Sequence, residues 1–251
     1  MNSKRSTEIA SLGEFGLIDR LTARLKQRRE TTLMAAGDDA AVIDLGTEEA
    51  MLLSTDMLTE GIDFDLSYFP LKHLGYKAIV RGVNDILAMN AHPEQVVVAL
   101  GISAKISVEA LDELYEGMER ACEELGVDLV GGDTTASMNG LVITVTATGR
   151  AKKEEIVYRS GAKEHDLICI TSNLGAAYMG LHLLEREKRV LKDIANPEPK
   201  FAGYEYLLER YLKPRARVNV LEALREEGIH PTSMIDLSDG LASDLRQICR
   251  S

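Results

Sequence analysis

Aspartate residues recur in this sequence at the ends of predicted elements, usually beside glycine, serine or threonine. Five separate segments supply such carboxylates: Asp38 with Asp39, Asp56, Asp85, Asp133, and Asp236 with Asp239. Any one of these segments is typical of a cap or turn, where these residue types are common. Carboxylates that converge from several apolar segments are, however, the ligands that Mg²⁺ prefers when it holds polyphosphate oxygens. The pattern favours a magnesium–phosphate site.

The overall charge points to the same chemistry. The chain has 251 residues with 29 Lys and Arg against 40 Asp and Glu, a net charge of −11. With aromatic residues at only 5%, it lacks both the cationic groove and the stacking surfaces that nucleic-acid binding requires. We therefore predict no nucleic-acid partner. An acidic protein that handles phosphates needs bound divalent cations, which reverse the local charge.

Cysteine usage and hydropathy suggest a cytoplasmic protein. The three cysteines, Cys122, Cys169 and Cys249, are too few and too scattered for a disulfide framework or a zinc site. The first ten residues show no apolar stretch of the kind found in signal peptides. The longest apolar run, residues 96–100, is far shorter than the roughly 20 residues that span a bilayer. We expect no membrane association.

Familiar nucleotide-binding and nucleophile signatures are absent from the sequence. It contains no P-loop, no strand-linked G-x-G-x-x-G and no protein-kinase motif set. The five histidines are far apart and show no ligand spacing, so we interpret them as structural or surface residues. A calcium-buffering role is disfavoured because no EF-hand loop is present. A nucleotide site in this chain must therefore be of another type.

The elements that must position the aspartates follow from hydrophobic periodicity. Ser11 to Glu14 has the form of a capping box that begins a helix, and Pro70 suits the first turn of another. On that second helix Lys77, Arg81 and Asp85 share a face, so Arg81 is expected to orient Asp85. Ser107 and Gly126 are predicted to cap a third helix. The strand predictions are 40–45, 51–55 (ended by Asp56), 96–102, 127–130 (leading into Gly131-Gly132-Asp133), 141–148 and 167–171.

The second half of the chain differs in its hydrophobic pattern, which is mostly helical. It contains helical patterns to about residue 188 and over 204–212, 217–226 and 241–248, with a loop at Asn196 to Lys200. We predict an α/β fold of two lobes that divide near residue 150. The second lobe has too few strands to complete a sheet, and we expect it to be truncated.

Six motifs occurring in order along residues 37–245 resemble the thiamine-monophosphate kinase family. The Gly-Gly-Asp motif alone is weakly specific, whereas the ordered set is specific. The motifs are GDDAA (37–41), STDML (54–58) with EGIDF (60–64), NDILAM (84–89), GGDTT (131–135), RSGA (159–162) and IDLSDGL (235–241).

This resemblance implies the fold of the aminoimidazole-ribonucleotide synthetase-like superfamily. Residues 1–150 would form an ATP- and Mg²⁺-binding, dimerisation domain with a barrel-like mixed sheet, and residues 151–251 a C-terminal α/β domain. It also implies a homodimer that uses ATP and several Mg²⁺ ions to convert thiamine monophosphate to thiamine diphosphate. Such phosphoryl transfer needs positioning and cations rather than a covalent nucleophile.

The resemblance also implies a set of site residues, carried over position by position. Asp39, Asp56, Asp85 and Asp133 would be catalytic, and Asp63 stands where the family usually has a histidine near the substrate. The ATP contacts would be Gly132, Asp133, Arg159 and Ser238. The metal ligands would be Asp39, Ser54, Thr55, Asp56, Asp85, Asp133, Asp236 and Asp239.

Two alternatives remain open from the sequence. One is another ATP-using enzyme of the same superfamily. A selenophosphate synthetase would need a reactive cysteine near the N-terminus, where this chain has none before Cys122, and a hydrogenase-maturation enzyme would need a C-terminal cysteine. The other is a non-catalytic nucleotide- and magnesium-binding relative.

Overall fold

One six-stranded mixed sheet organises the first part of the chain. The computed structural model describes residues 8–192, 194 and 199–251. The strands are β1 Thr32–Met34, β2 Ala41–Asp44, β3 Glu49–Thr59, β4 His92–Ser103, β5 Asp128–Ser137 and β6 Val142–Lys152. They lie in the order β1-β2-β3-β6-β4-β5, and only β4 and β5 pair in parallel. β1 and β5 are the edges, so within the described chain the sheet is open rather than closed into a barrel.

Helices cover one face of this sheet, and they are the regular elements that the described chain forms after β6. They are α1 Gly13–Thr22, α2 Leu71–Ala88, α3 Val108–Leu125, α4 Ala176–Leu191, α5 Glu205–Leu212, α6 Val218–Glu226 and α7 Leu241–Ile248, with a short 3-10 helix at Ile9–Ser11. The core lies between the sheet and the pair α2 and α3. No helix in the described part of the chain has the length and apolar character that crossing a membrane would take.

Helix α2 packs unusually close to the sheet. In β3 the alternate residues Ala50, Leu52 and Ser54 are buried beneath the helix, as the period of two requires. Gly82 allows the close approach, because a Cβ there would lie 2.4 Å from Cγ1 of Val145 on β6. The glycine therefore brings the polar residues of α2 down to the level of the strands.

No helix of the described residues packs on the opposite face of the sheet. Thr55 and Met57 of β3 and Val97 and Ala99 of β4 are exposed there, and Met57 and Val97 are 57% and 40% exposed. Antiparallel sheets tolerate one solvated face, but that face is normally polar. These exposed apolar side chains make it a candidate contact surface.

Several local predictions are confirmed. Ser107 caps α3 by accepting a hydrogen bond from the Ala110 amide at 3.2 Å, and Gly126 ends the helix with φ 65°. Pro70 directly precedes α2. The six-strand mixed sheet with flanking helices confirms the α/β class.

Other local predictions are wrong. The Ser11 hydroxyl donates to the Glu8 carbonyl instead of capping α1, which begins at Gly13. Asp56 lies within β3 and Asp133 within β5, not at strand ends, because both strands continue past the polar residues. The expected strand at 167–171 is an exposed segment without regular structure, since no described strand lies beside it to satisfy its backbone groups.

Two further predictions, the domain boundary and the loop before α5, stay predictions. The predicted boundary near residue 150 falls within the last residues of β6, and the division into two domains stays a prediction. Of the loop predicted at Asn196 to Lys200, the first three residues lie outside the described part of the chain.

Candidate active site

Three carboxylates from distant parts of the sequence lie close together near the start of β2 and the helix α2. Asp39 precedes β2, Asp85 lies on α2, and Asp236 lies in the segment before α7. Each offers an oxygen within 4.8 Å of the others. The sequence predicted all three as metal ligands, and the fold brings them together from positions almost 200 residues apart.

Burial and mutual repulsion perturb these groups. Desolvation raises the pKa of Asp85 to about 8, and the neighbouring charges of Asp236, Asp39 and Asp56 add to the effect. Desolvation likewise raises the pKa of Asp39 to about 7 against the lowering effect of Arg159. The pKa of Asp236 is raised as well, again chiefly by burial. Without a cation, the cluster is an unfavourable arrangement of like charges.

One oxygen of Asp39 is a natural cation ligand. Its side chain is fully buried, and Oδ1 accepts hydrogen bonds from Nη2 and, at 3.1 Å, from Nε of Arg159. Oδ2 is buried and has no hydrogen-bond partner among the described residues. A buried carboxylate with an unpartnered oxygen, grouped with two other carboxylates, fits Mg²⁺, which takes hard oxygen ligands.

Asp38 fixes the backbone positions of Arg159 and Asp39 relative to each other. Its Oδ1 accepts from the Asp39 amide at 2.9 Å and its Oδ2 from the Arg159 amide at 3.0 Å. Ser233 donates from its hydroxyl to the Arg159 carbonyl at 2.6 Å. Asp38 therefore ties together two backbone segments that lie 121 residues apart. Its position in the paired aspartates of 38–39 was the only sequence signal for this role.

Asn84 orients Asp236, and Ser54 lies beside Asp85. The Asn84 amide donates to Asp236 Oδ2 at 3.3 Å. The Ser54 hydroxyl is buried and donates to the Gly82 carbonyl at 3.3 Å, and its proximity to Asp85 partly offsets the rise in the pKa of that group. Ser54 was among the predicted metal ligands, and Asn84 was not among the predicted residues, although it directly precedes Asp85 in the NDILAM motif.

The helical spacing predicted that Arg81 orients Asp85, but the structure shows Arg81 bound to other carboxylates. It reaches β3, where Nε lies 2.8 Å from Asp56 Oδ2 and Nη2 donates to Asp56 Oδ1 at 3.1 Å. Its Nη1 donates to Asp63 Oδ1 at 2.9 Å. The expectation is wrong because the close packing of α2 on the sheet puts two tertiary carboxylates nearer than the one a helical turn away. Burial raises the pKa of Asp56, and the charge of Arg81 opposes that rise.

Both the side chain and the main-chain carbonyl of Asp63 accept hydrogen bonds. Besides its contact with Arg81, its Oδ2 accepts from the Thr59 amide at 2.8 Å. Its main-chain carbonyl accepts from Lys77 Nζ at 3.4 Å and from the Tyr211 hydroxyl at 3.3 Å. The predicted substrate residue thus serves, within the described chain, to support Arg81.

Lys77 is a buried cation near this loop. Its Nζ lies 4.3 Å from the centre of the Tyr211 ring and 5.1 Å from that of Phe69, and burial lowers its pKa to about 8. Tyr211 belongs to α5, so the contact joins the second half of the chain to α2.

The remaining predicted residues are not brought into this cluster. Thr55 points to the open face of the sheet, where it contacts Thr146 at 3.0 Å. Asp133 pairs with Ala99 and therefore faces the same open side, three strands from β3 and about 14 Å away. Gly132 packs against the Val98 carbonyl, which a Cβ would approach to 1.7 Å. Ser238 and Asp239 follow Asp236 and are exposed.

This chain is similar to known proteins in both sequence and fold. Residues 37–151 match the family model for AIR synthase related protein, N-terminal domain. Thiamine-monophosphate kinase of Bacillus subtilis (strain 168) is 31% identical over 240 residues, which is 96% of this chain and 71% of that protein. A solved structure, AaThiL complexed with AMPPCP and TMP, superposes with TM-score 0.83 at 29% identity, covering 98% of this chain and 72% of that chain.

A more distant likeness concerns the fold alone. Hydrogenase maturation protein HypE gives a TM-score of 0.60 at 22% identity, covering 92% of this chain and 65% of that chain.

Proposed function

The chain belongs to the thiamine-monophosphate kinase family, and we propose that it transfers the γ-phosphoryl group of ATP to thiamine monophosphate. An oxygen of the acceptor's phosphate bonds to the γ-phosphorus while the bond to the β–γ bridging oxygen breaks, giving thiamine diphosphate and ADP. A phosphate monoester has a second pKa near 6 and is largely dianionic at neutral pH, so the acceptor oxygen needs no general base. The protein must supply alignment and positive charge.

Asp39, Asp85 and Asp236 would hold Mg²⁺, and the unpartnered Asp39 Oδ2 is the observation that carries this assignment. The bound ion would supply neutralisation of the phosphate oxygens. Asn84 keeps Asp236 oriented toward the pocket, as outer partners of metal ligands commonly do. That several ions bind, with Asp56, Ser54, Thr55, Asp133 and Asp239 as further ligands, stays a prediction.

Arg159 would contact ATP beside this cluster. Asp38 fixes its backbone and Asp39 its guanidinium, so the side chain is oriented before the nucleotide arrives. Ser238, two residues beyond Asp236, would contribute from the same flank, and Gly132 and Asp133 remain sequence-based predictions for ATP. Orientation in advance lowers the entropic cost of binding a flexible triphosphate.

A homodimer formed through the open face of the sheet completes the proposal. Met57 and Val97 expose apolar surface there, and pairing two such faces would build the barrel-like arrangement that the resemblance implies. The three cysteines, all free, support a reducing cytoplasm as the location.

Thiamine diphosphate formation from ATP, Mg²⁺ and thiamine monophosphate tests the function directly. We expect product with the wild-type chain and none with Asp39→Asn, because that variant loses charge at the unpartnered oxygen. Calorimetry with ATP and Mg²⁺ addresses the alternative of a non-catalytic binding module. Nucleotide binding without turnover by the wild-type chain would overturn the kinase proposal in favour of the module.

A further inference from the structure

Arg81 is the second arginine beside the carboxylate cluster, and the proposed reaction has so far used only Arg159. Three of its five N–H groups face Asp56 and Asp63. The second hydrogens on Nη1 and Nη2 have no acceptor among the described residues. The side chain is 33% exposed, so its free edge is open to a ligand. A guanidinium fixed by two carboxylates and open on one edge is suited to binding a phosphate.

The geometry points to Arg81 as the residue that binds the phosphate of the acceptor, thiamine monophosphate, with Asp63 as the positioning residue that holds it. This inference rests on the proposed kinase function and assigns one flank of the pocket to each substrate.

The two arginines lie on different flanks of the cluster. Arg159 binds Asp39 and is held by the segments around Asp38 and Ser233. Arg81 binds Asp56 and is held by the loop after β3. Arg159, one of the residues predicted for ATP, belongs to the first flank. In-line transfer requires the attacking oxygen to lie opposite the leaving oxygen, which leaves the Arg81 flank for the acceptor.

The support beneath Arg81 suits a binding residue rather than an incidental ion pair. Asp56 alone would satisfy the guanidinium through its two-point contact. Asp63 adds a third contact and is itself fixed by the Thr59 amide and, through its carbonyl, by Lys77 and Tyr211. A long side chain held at three points loses little further entropy when its ligand binds.

Steady-state kinetics of Arg81→Met and Arg81→Lys test the inference, with thiamine monophosphate varied at saturating ATP and Mg²⁺. Loss of a charge-assisted contact should raise KM for thiamine monophosphate about 10- to 100-fold in Arg81→Met. We expect kcat and the KM for ATP to change less than about threefold. Arg81→Lys keeps the charge and should recover part of the loss, and Asp63→Asn should raise the same KM by a smaller factor.

Direct binding separates this inference from the proposed function. Calorimetry of thiamine monophosphate, with Mg²⁺ and a non-hydrolysable ATP analogue present, should show the same loss of affinity in Arg81→Met. The matched control is Arg120→Met, which removes an arginine paired with Glu124 on the exposed side of α3 and should behave as wild type. If wild-type chain forms no thiamine diphosphate, the proposed function fails. If wild type is active while Arg81→Met loses kcat but keeps its KM and affinity for the acceptor, the inference is overturned, and Arg81 only orients Asp56.

Discussion

The metal-free protein should lose stability as the pH rises from 6.5 to 8.5. Its carboxylate cluster retains protons that the same groups release in the unfolded chain, because burial raises the pKa of Asp39 to about 7 and of Asp85 to about 8 from an ordinary value of 3.8. A carboxyl with a raised folded-state pKa contributes stability that is complete at low pH. That contribution disappears as the pH passes through the folded-state value.

The size of the effect follows from those two groups. Each proton that the folded state alone retains reduces the free energy of unfolding by about 1.4 kcal/mol for each unit by which the pH rises. Across this window the two carboxyls together should reduce the free energy of unfolding by roughly 3 kcal/mol. Lys77, whose pKa burial lowers to about 8, and His73 and His92, whose pKa values are also lowered, titrate with the opposite sign. The unfolded chain keeps their protons to higher pH than the folded protein does, so they offset part of this loss.

Urea unfolding in EDTA at pH 6.5, 7.5 and 8.5 measures this slope. Asp85→Asn should flatten it by removing one titrating group, whereas Asp166→Asn should not, since the pKa of Asp166 is lowered by its bond to Thr232. Millimolar Mg²⁺ should restore stability most at pH 8.5, where the cluster carries its full charge. If the stability of Asp85→Asn in EDTA depended on pH as the wild type's does, the account of the cluster as a set of crowded, buried carboxyls would be refuted.

Three further perturbations address orientation, packing and assembly. Asn84→Ala should weaken Mg²⁺ binding about 10-fold, measured by calorimetry, because Asp236 loses its orienting amide; an unchanged affinity would remove Asn84 from the site. Gly82→Ala should lower the free energy of unfolding by about 2–3 kcal/mol, since the new methyl meets Val145, and Val145→Ala in the same chain should restore part of it; no loss in urea melts would contradict the close packing of α2. Met57→Asp should shift the protein from dimer to monomer in sedimentation experiments, and an unaltered dimer would locate the interface elsewhere.

Much of the fold was predictable because it depends on local patterns. The α3 helix has a serine cap and a glycine stop in its own sequence, and α2 follows from its apolar stripe after Pro70. The extent of β3 and β5 could not be predicted, because polar residues such as Asp56 and Asp133 interrupt the apolar pattern. Backbone pairing with neighbouring strands carries these strands through such residues, and that pairing is a tertiary effect.

The site was predictable in its chemistry and less so in its contacts. Residue type and motif order pointed to Asp39, Asp85 and Asp236, which the fold does bring together. The partner of Arg81 was mistaken, since helical spacing says nothing about how deeply a helix sits on its sheet. The orienting role of Asn84 likewise depends on a segment 152 residues later in the chain, which no local pattern reveals.

The distribution of the three clustered carboxylates along the chain also bears on biosynthesis. A nascent polypeptide that has emerged as far as β6 contains Asp39 and Asp85 but not Asp236, and it lacks Arg159 as well. Because affinity for a divalent ion depends on all donors being present in one geometry, such an intermediate would bind magnesium weakly. Tight binding of the ion would then begin only when the segment that contains Asp236 docks, so metal binding would depend on completed folding.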